Sequence, residues 1–143
     1  GDKLDDFATP NYNTDSTAML DVHGNQYGLL TASKCFRMSQ MDCSSCHNVH
    51  KNERSEMQTF SQRCMSCHTE AAHNTCTLQQ HKGIVLSDNC VDCHMPLLPS
   101  KKIFLQLADK RQSTADFVRT HRIAVYPKET KEYIEKMTAN KKG

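Results

Sequence analysis

Tryptophan is absent from this chain of 143 residues, and Leu, Ile, Val and Phe together supply only 25 side chains, about 17% of the total. So small an apolar share ordinarily marks a chain that cannot bury enough surface to offset its conformational entropy. The mean hydropathy of −0.68 points the same way. No apolar run approaches the roughly 20 residues that a membrane-spanning helix needs. Basic clusters interleaved with stacking aromatics are missing as well, which argues against a nucleic-acid partner. The sequence also starts at Gly1 with no charged and apolar leader before it, so the expectation is a mature exported form or a domain of a longer exported protein.

What the chain does have is eight cysteines and eight histidines. Nine of these sixteen fall in three copies of one pentapeptide: Cys43-Ser44-Ser45-Cys46-His47, Cys64-Met65-Ser66-Cys67-His68 and Cys90-Val91-Asp92-Cys93-His94. Random shuffling of this composition yields roughly 0.02 such patterns, so three together have odds of about one in a million. The pattern is the attachment signal of c-type haem. Positions i and i+3 share a face of a helical turn, which sets the two thiols side by side for the two vinyl groups of one porphyrin. The adjoining histidine then serves as proximal iron ligand. A four-coordinate zinc site is the competing reading of paired cysteines. It explains neither the histidine after every pair nor the odd number of pairs.

Three covalent haems also resolve the shortage of apolar side chains, because each brings large flat apolar faces and ties the chain at three points. Six thiols are consumed in this way, leaving Cys35 and Cys76 as a candidate disulfide in an oxidising compartment. Each ferric haem with ionised propionates adds about −1, which takes the formal +2 of the sequence to about −1. The charge is unevenly spread: residues 1–100 hold 7 basic and 11 acidic side chains, and residues 101–143 hold 11 and 5. The cationic end reads as a solvated surface that partly neutralises propionates, with a docking patch for an acidic redox partner as the sharper alternative.

The whole chain, 1–143, reads as a single trihaem domain in three stretches. Residues 1–28 form an irregular polar lead, broken by Pro10 and the His23-Gly24 pair. Residues 29–99 carry the attachment sites, beginning with a short helix over Leu29–Met41 that turns Leu30, Cys35 and Met38 inward. Short helical turns separated by polar loops follow, at unequal intervals that exclude a solenoid repeat. Pro96 and Pro99 stop the third turn. Residues 100–143 form a basic cover, in which Ile103, Phe104, Leu105 and Leu107 make an apolar cluster over a haem face, as strand or helix. A terminal helix over Lys128–Asn140 carries Tyr133, Ile134 and Met137 on one side.

Five histidines remain for the sixth coordination position. His50 lies too near His47 to cap the same iron and is assigned to another haem. His121 stands beside Arg122, which can pair with a propionate. His23 precedes Gly24, whose backbone freedom permits close approach. His73 is the fourth choice and His81 the weakest. Seven methionines compete. Met95 cannot fold back onto the iron of His94, and Met38, Met41, Met57, Met65 and Met137 read as packing residues. Bis-histidine ligation and low potentials are therefore expected.

The run Asp21-Val22-His23-Gly24-Asn25-Gln26-Tyr27-Gly28, the segment Ser33-Lys34-Cys35-Phe36, Cys43–His50 as CxxCHxxH, Cys90–Pro96 as CVDCHMP, and His121-Arg122-Ile123 together resemble exported multihaem cytochromes c. That family is related to the tetrahaem electron shuttles of ammonia oxidation and to the octahaem oxidoreductases. The resemblance spans most of residues 20–126. It implies a fold that is mainly α with little regular secondary structure and no significant β-sheet, its short helices and loops wrapped around three stacked haems. It also implies distal roles for His50, His23 and His121, and a periplasmic or otherwise exported location. The chain departs from the family in its number of haems and in lacking the CxxCK variant found at some nitrite-reducing sites. The expected function is electron transfer between periplasmic or extracellular redox proteins. The alternative is an oxidoreductase in which one five-coordinate haem acts on nitrite, nitric oxide or hydroxylamine.

Overall fold

The computed structural model describes residues 21–72, 75–78, 80–81, 84–108 and 111–140. Its elements are α1 (Gln26–Thr31), α2 (Lys34–Arg37), a 3-10 turn (Cys43–Ser45), α3 (Met57–Met65), β1 (Gln80–His81), β2 (Ile84–Val85), α4 (Cys90–His94), β3 (Leu97–Leu105), β4 (Thr114–Arg119) and α5 (Pro127–Asn140). The chain divides into two compact units, Gly1–Met38 with Leu97–Ile123, and Ser39–Pro96 with Ala124–Gly143. Among the described residues no helix is long and apolar enough to cross a membrane.

In the first unit, the turn at His23-Gly24 is real, with Gly24 at φ +79 in the left-handed region. Asn25 then caps α1 by accepting the Gly28 N–H at 2.9 Å. Gly28 is required there, because a Cβ would run into the Asn25 side-chain amide. The helix expected over Leu29–Met41 is instead two short ones, interrupted at Ser33. Ser33 is buried, and its hydroxyl donates to Leu29 O and accepts the Ile123 N–H at 2.8 Å. Ser and Thr hydroxyls compete with helical hydrogen bonds in this way. Leu30 is buried as expected and Cys35 is half-buried, but Met38 faces solvent at 75% exposure.

The expectation of no significant β-sheet is overturned by the same unit. β3 and β4 form an antiparallel ribbon that pairs Leu97 with Arg119, Leu98 with Val118, Pro99 with Phe117, Phe104 with Ala115 and Leu105 with Thr114, with a register irregularity between Pro99 and Phe104. β-branched and aromatic side chains, Ile103, Phe104, Phe117 and Val118, favour the pleated surface. Both strands are edges, so Pro99 breaks no interior ladder. A second, two-residue pairing joins β1 to β2. The apolar cluster Ile103, Phe104, Leu105 and Leu107 is exposed in this structure.

The ribbon is fastened to the lead by Asp21. Its carboxylate accepts the His23 N–H at 3.0 Å, the Ser100 hydroxyl at 2.8 Å and the Lys101 N–H at 2.6 Å. These donors, the His23 amide first, hold its pKa below the ordinary aspartate value. Among the described residues the buried hydrophobic side chains are Val22, Leu29 and Leu30 in the first unit and Leu86 and Val91 in the second. The terminal helix starts at Pro127, one residue before the expected boundary, with proline at a favourable first-turn position. Tyr133 and Ile134 are half-buried on it and Met137 is at the exposed margin.

Candidate haem-attachment sites

All three pentapeptides lie in the second unit, and all three fold as one helical turn. His47 N–H donates to Cys43 O at 2.9 Å, and His68 N–H donates to Cys64 O at 3.0 Å. The third pentapeptide is itself α4. Each turn has a different origin. The first stands alone as the 3-10 turn, the second is the C-terminal end of α3 running past its last residue, and the third is a complete short helix. The first and third are each preceded by a side-chain cap. Asp42 Oδ1 accepts the Ser45 N–H at 3.0 Å while Ser45 Oγ accepts the Asp42 N–H at 3.0 Å, a reciprocal capping box. The Ser44 hydroxyl leads the donors that hold the Asp42 carboxyl below its usual range. Asn89 Oδ1 accepts the Asp92 N–H at 3.3 Å.

The third site is the most enclosed. His94 Nδ1 lies 3.0 Å from Ala124 O. A carbonyl oxygen only accepts, so Nδ1 carries the proton and Nε2 presents its lone pair. That is the tautomer and the outer hydrogen bond that a metal-bound imidazole takes. Ala124 N–H returns a bond to His94 O at 3.2 Å, and the Thr130 hydroxyl reaches Cys93 O at 3.4 Å. The Asn89 amide also donates to Tyr133 Oη at 2.9 Å. Burial pushes up the pKa of both the Tyr133 hydroxyl and the Cys93 thiol.

The first site is exposed at Cys43 and His47 and is held mainly through its backbone. Arg63 donates to Glu53 through both guanidinium nitrogens, at 2.8 and 2.6 Å, and to Cys46 O at 2.7 Å. Glu53 also accepts the Asn48 N–H at 3.1 Å. The fork matches the carboxylate plane, and Arg63 first, then the Asn48 amide, holds Glu53 down to about 2. Phe60 packs edge-on to His47 with ring centroids 5.4 Å apart, and the Arg63 guanidinium lies 5.5 Å from the Phe60 centroid.

The second and third sites meet across α3 and α4. The Cys90 N–H donates to Ser61 Oγ at 2.9 Å, and Ser61 is 1% exposed. The Cys64 side chain is the leading cause that lowers the Cys90 thiol to about 6.

The remaining candidates are dispersed. His50, exposed in the turn after the first site, donates its backbone N–H to Asn48 Oδ1 at 3.0 Å. His23 and His121 belong to the first unit and are half-buried. His23 Nε2 is 2.9 Å from Asp116 Oδ2, so one of its ring nitrogens is engaged by a carboxylate here. His73 lies outside the described residues. His81 pairs with Ile84 in the β1–β2 ladder. Among the described residues no disulfide is formed, so the expected Cys35–Cys76 cross-link is absent. The fastening residues Ser61, Glu53, Arg63 and Ala124 escaped the sequence reading. Asp42 and Asn89, each directly before a pentapeptide, carried a legible helix-cap signal.

Among the described residues no group of three His, Cys, Asp or Glu side chains is placed to hold a bare metal ion. Haem c asks for less. It needs two thiols on one face of a turn and one imidazole with a free nitrogen, and the donor set of each pentapeptide fits that demand. No protein-family model matches the chain, and no curated protein or solved structure proved significantly similar to it.

Proposed function

We propose that this chain is a trihaem c-type cytochrome domain that relays electrons between redox proteins. The reading is carried by one observation, the recurrence of the same Cys-x-x-Cys-His helical turn at three places. The His94 Nδ1–Ala124 O bond supports it independently, because an imidazole fixed in that tautomer is prepared to ligate through Nε2. In each turn the two cysteines would hold the macrocycle through thioether bonds and the histidine would ligate its iron. Haem c, when bound, supplies reversible one-electron chemistry.

The small buried core of the second unit fits a chain whose apolar surface is completed by macrocycles, since Val49, Val85 and Val125 stay exposed beside it. His50, His121, His23 and His73 are the proposed distal ligands, giving low-potential bis-histidine haems. Redox proteins serve as donor and acceptor, and attachment of this type places the chain outside the bacterial cytoplasm. The test is intact mass together with the pyridine haemochrome spectrum of protein expressed with a c-haem maturation system. Three added macrocycles and a low-spin oxidised spectrum are expected. A colourless product, or a mass without three macrocycles, defeats the reading. Carbon monoxide binding by the native reduced protein would favour an oxidoreductase with an open iron.

A further inference from the structure

We propose that the second and third attachment sites form one closely coupled redox pair, that Ser61 is the positioning residue fixing their spacing, and that the first site stands outside the pair. The proposal rests on the haem c reading and adds which two of the three sites exchange electrons most directly.

Ser61 and Cys64 are three residues apart on α3 and so occupy one face of that helix. Ser61 is buried on that face, and its hydroxyl oxygen accepts the N–H of Cys90, the first residue of α4, at 2.9 Å. Cys64, one turn further along the same face, opens the second pentapeptide, so the Ser61–Cys90 bond fastens the helix of one attachment turn to the start of the other. Each of these two cysteines is the first thiol of its pentapeptide. Macrocycles held by these two turns would be kept near one another by that bond.

The first site reaches α3 by a different route. It is held by two long side chains, Arg63, whose guanidinium donates to Cys46 O at 2.7 Å, and Phe60, whose ring packs on His47 with centroids 5.4 Å apart. The first attachment turn is thus kept at the far ends of long side chains, whereas the short Ser61 hydroxyl bonds the backbone of α4 directly.

Exchange within the pair moves one electron from a ferrous to a ferric centre, with no bond made or broken and no proton transferred. Dithionite supplies electrons in the experiment. An electron on one member raises the energy of placing another on its neighbour, so the pair titrates in two separated steps.

Electron paramagnetic resonance and potentiometric titration of the holoprotein read this directly. The native protein is expected to show magnetic interaction between two haems and an isolated signal from one. The interaction persists when the first anchor is removed by Cys43→Ala with Cys46→Ala, and is lost on Cys90→Ala with Cys93→Ala. Loss in the first-anchor variant together with retention in the third-anchor variant overturns the proposal while three native haems leave the cofactor reading intact. A native protein without haem fails that reading instead. Ser61→Ala supplies an arm that keeps all six anchoring thiols. At three haems per chain and native far-UV dichroism, its two steps draw together, and Ser61→Thr restores them. Native separation in Ser61→Ala removes Ser61 from the role.

Discussion

The first and third pentapeptides share a sequence pattern and a helical turn, yet they are secured by opposite means. The first is solvent-facing and held by ions and caps: the Asp42 box on one side and the Arg63–Glu53 fork on the other. The third is half-buried and held by neutral groups: Ser61, Asn89, the Ala124 backbone and Thr130, around a buried Val91. The pentapeptide alone thus specifies the turn and the donor set, and the flanking residues specify how rigidly they are presented. A rigid imidazole with Nδ1–H donated to a carbonyl is the more basic ligand. Under the proposed haem c reading, the third site would hold the more strongly donated iron.

The largest expected effect lies in the packing. Val91 is 7% exposed inside the third pentapeptide, whereas Val49, two residues after the first, is 78% exposed. Val91→Ala removes two methyl groups from a small core and leaves a void, and should lower the free energy of unfolding by about 2 kcal/mol. Val49→Ala should change it by less than about 0.5 kcal/mol. Urea unfolding of the two holoprotein variants, with unchanged slopes, measures both. Equal midpoints would erase the distinction between an enclosed and an open site.

Acid separates the two sites next. Glu53 is held at about 2 by Arg63, below the ordinary glutamate value of about 4.3. A carboxyl depressed on folding contributes stability that is present above its unfolded pKa and is lost as pH falls through the folded one. The clip on the first site therefore weakens between about pH 4.3 and 2, while the neutral Ser61 and Ala124 fastenings of the third do not titrate in that window. The Asn48 amide, which donates to Glu53, reports the event. Its proton resonance should move with a midpoint near 2 and lose that transition in Glu53→Gln. The Cys90 amide, bonded to Ser61, should stay flat over the same range.

The contrast also marks where the sequence was readable. The helical turn at each proposed attachment site was legible because the Cys-x-x-Cys-His pattern fixes residue type and spacing within five residues. Caps were legible in principle for the same reason, since Asp42 and Asn89 act within three positions of themselves. The long-range fastenings were not. Nothing in the order of residues ties Ser61 to Cys90, or Ala124 to His94, because those bonds depend on how α3, α4 and the segment before α5 fold together. The β3–β4 ribbon was missed for a related reason: Ile103–Leu105 is too short and too uniformly apolar to separate strand from helix by periodicity, and only its partner strand decides it. Within Leu29–Met41 the interruption at Ser33 was hidden likewise, since the hydroxyl's partner is Ile123.

The smallest of these effects concerns the outer wall of the third site. Tyr133 on α5 accepts a hydrogen bond from the Asn89 amide at 2.9 Å, and the same amide group donates to Asp92 Oδ2 at 2.7 Å. Tyr133→Phe keeps the ring and its packing and removes only the acceptor. Since Asn89 keeps Asp92 and the ring edge is half-exposed to water, the loss should be about 0.5 kcal/mol, at the low end for a neutral hydrogen bond. Its consequence should be confined to the third site, seen as faster amide exchange at Asp92 with no change at Ser45 in the first. A comparable acceleration at Ser45 would mean that the two turns, so differently fastened, share a common mode of opening after all.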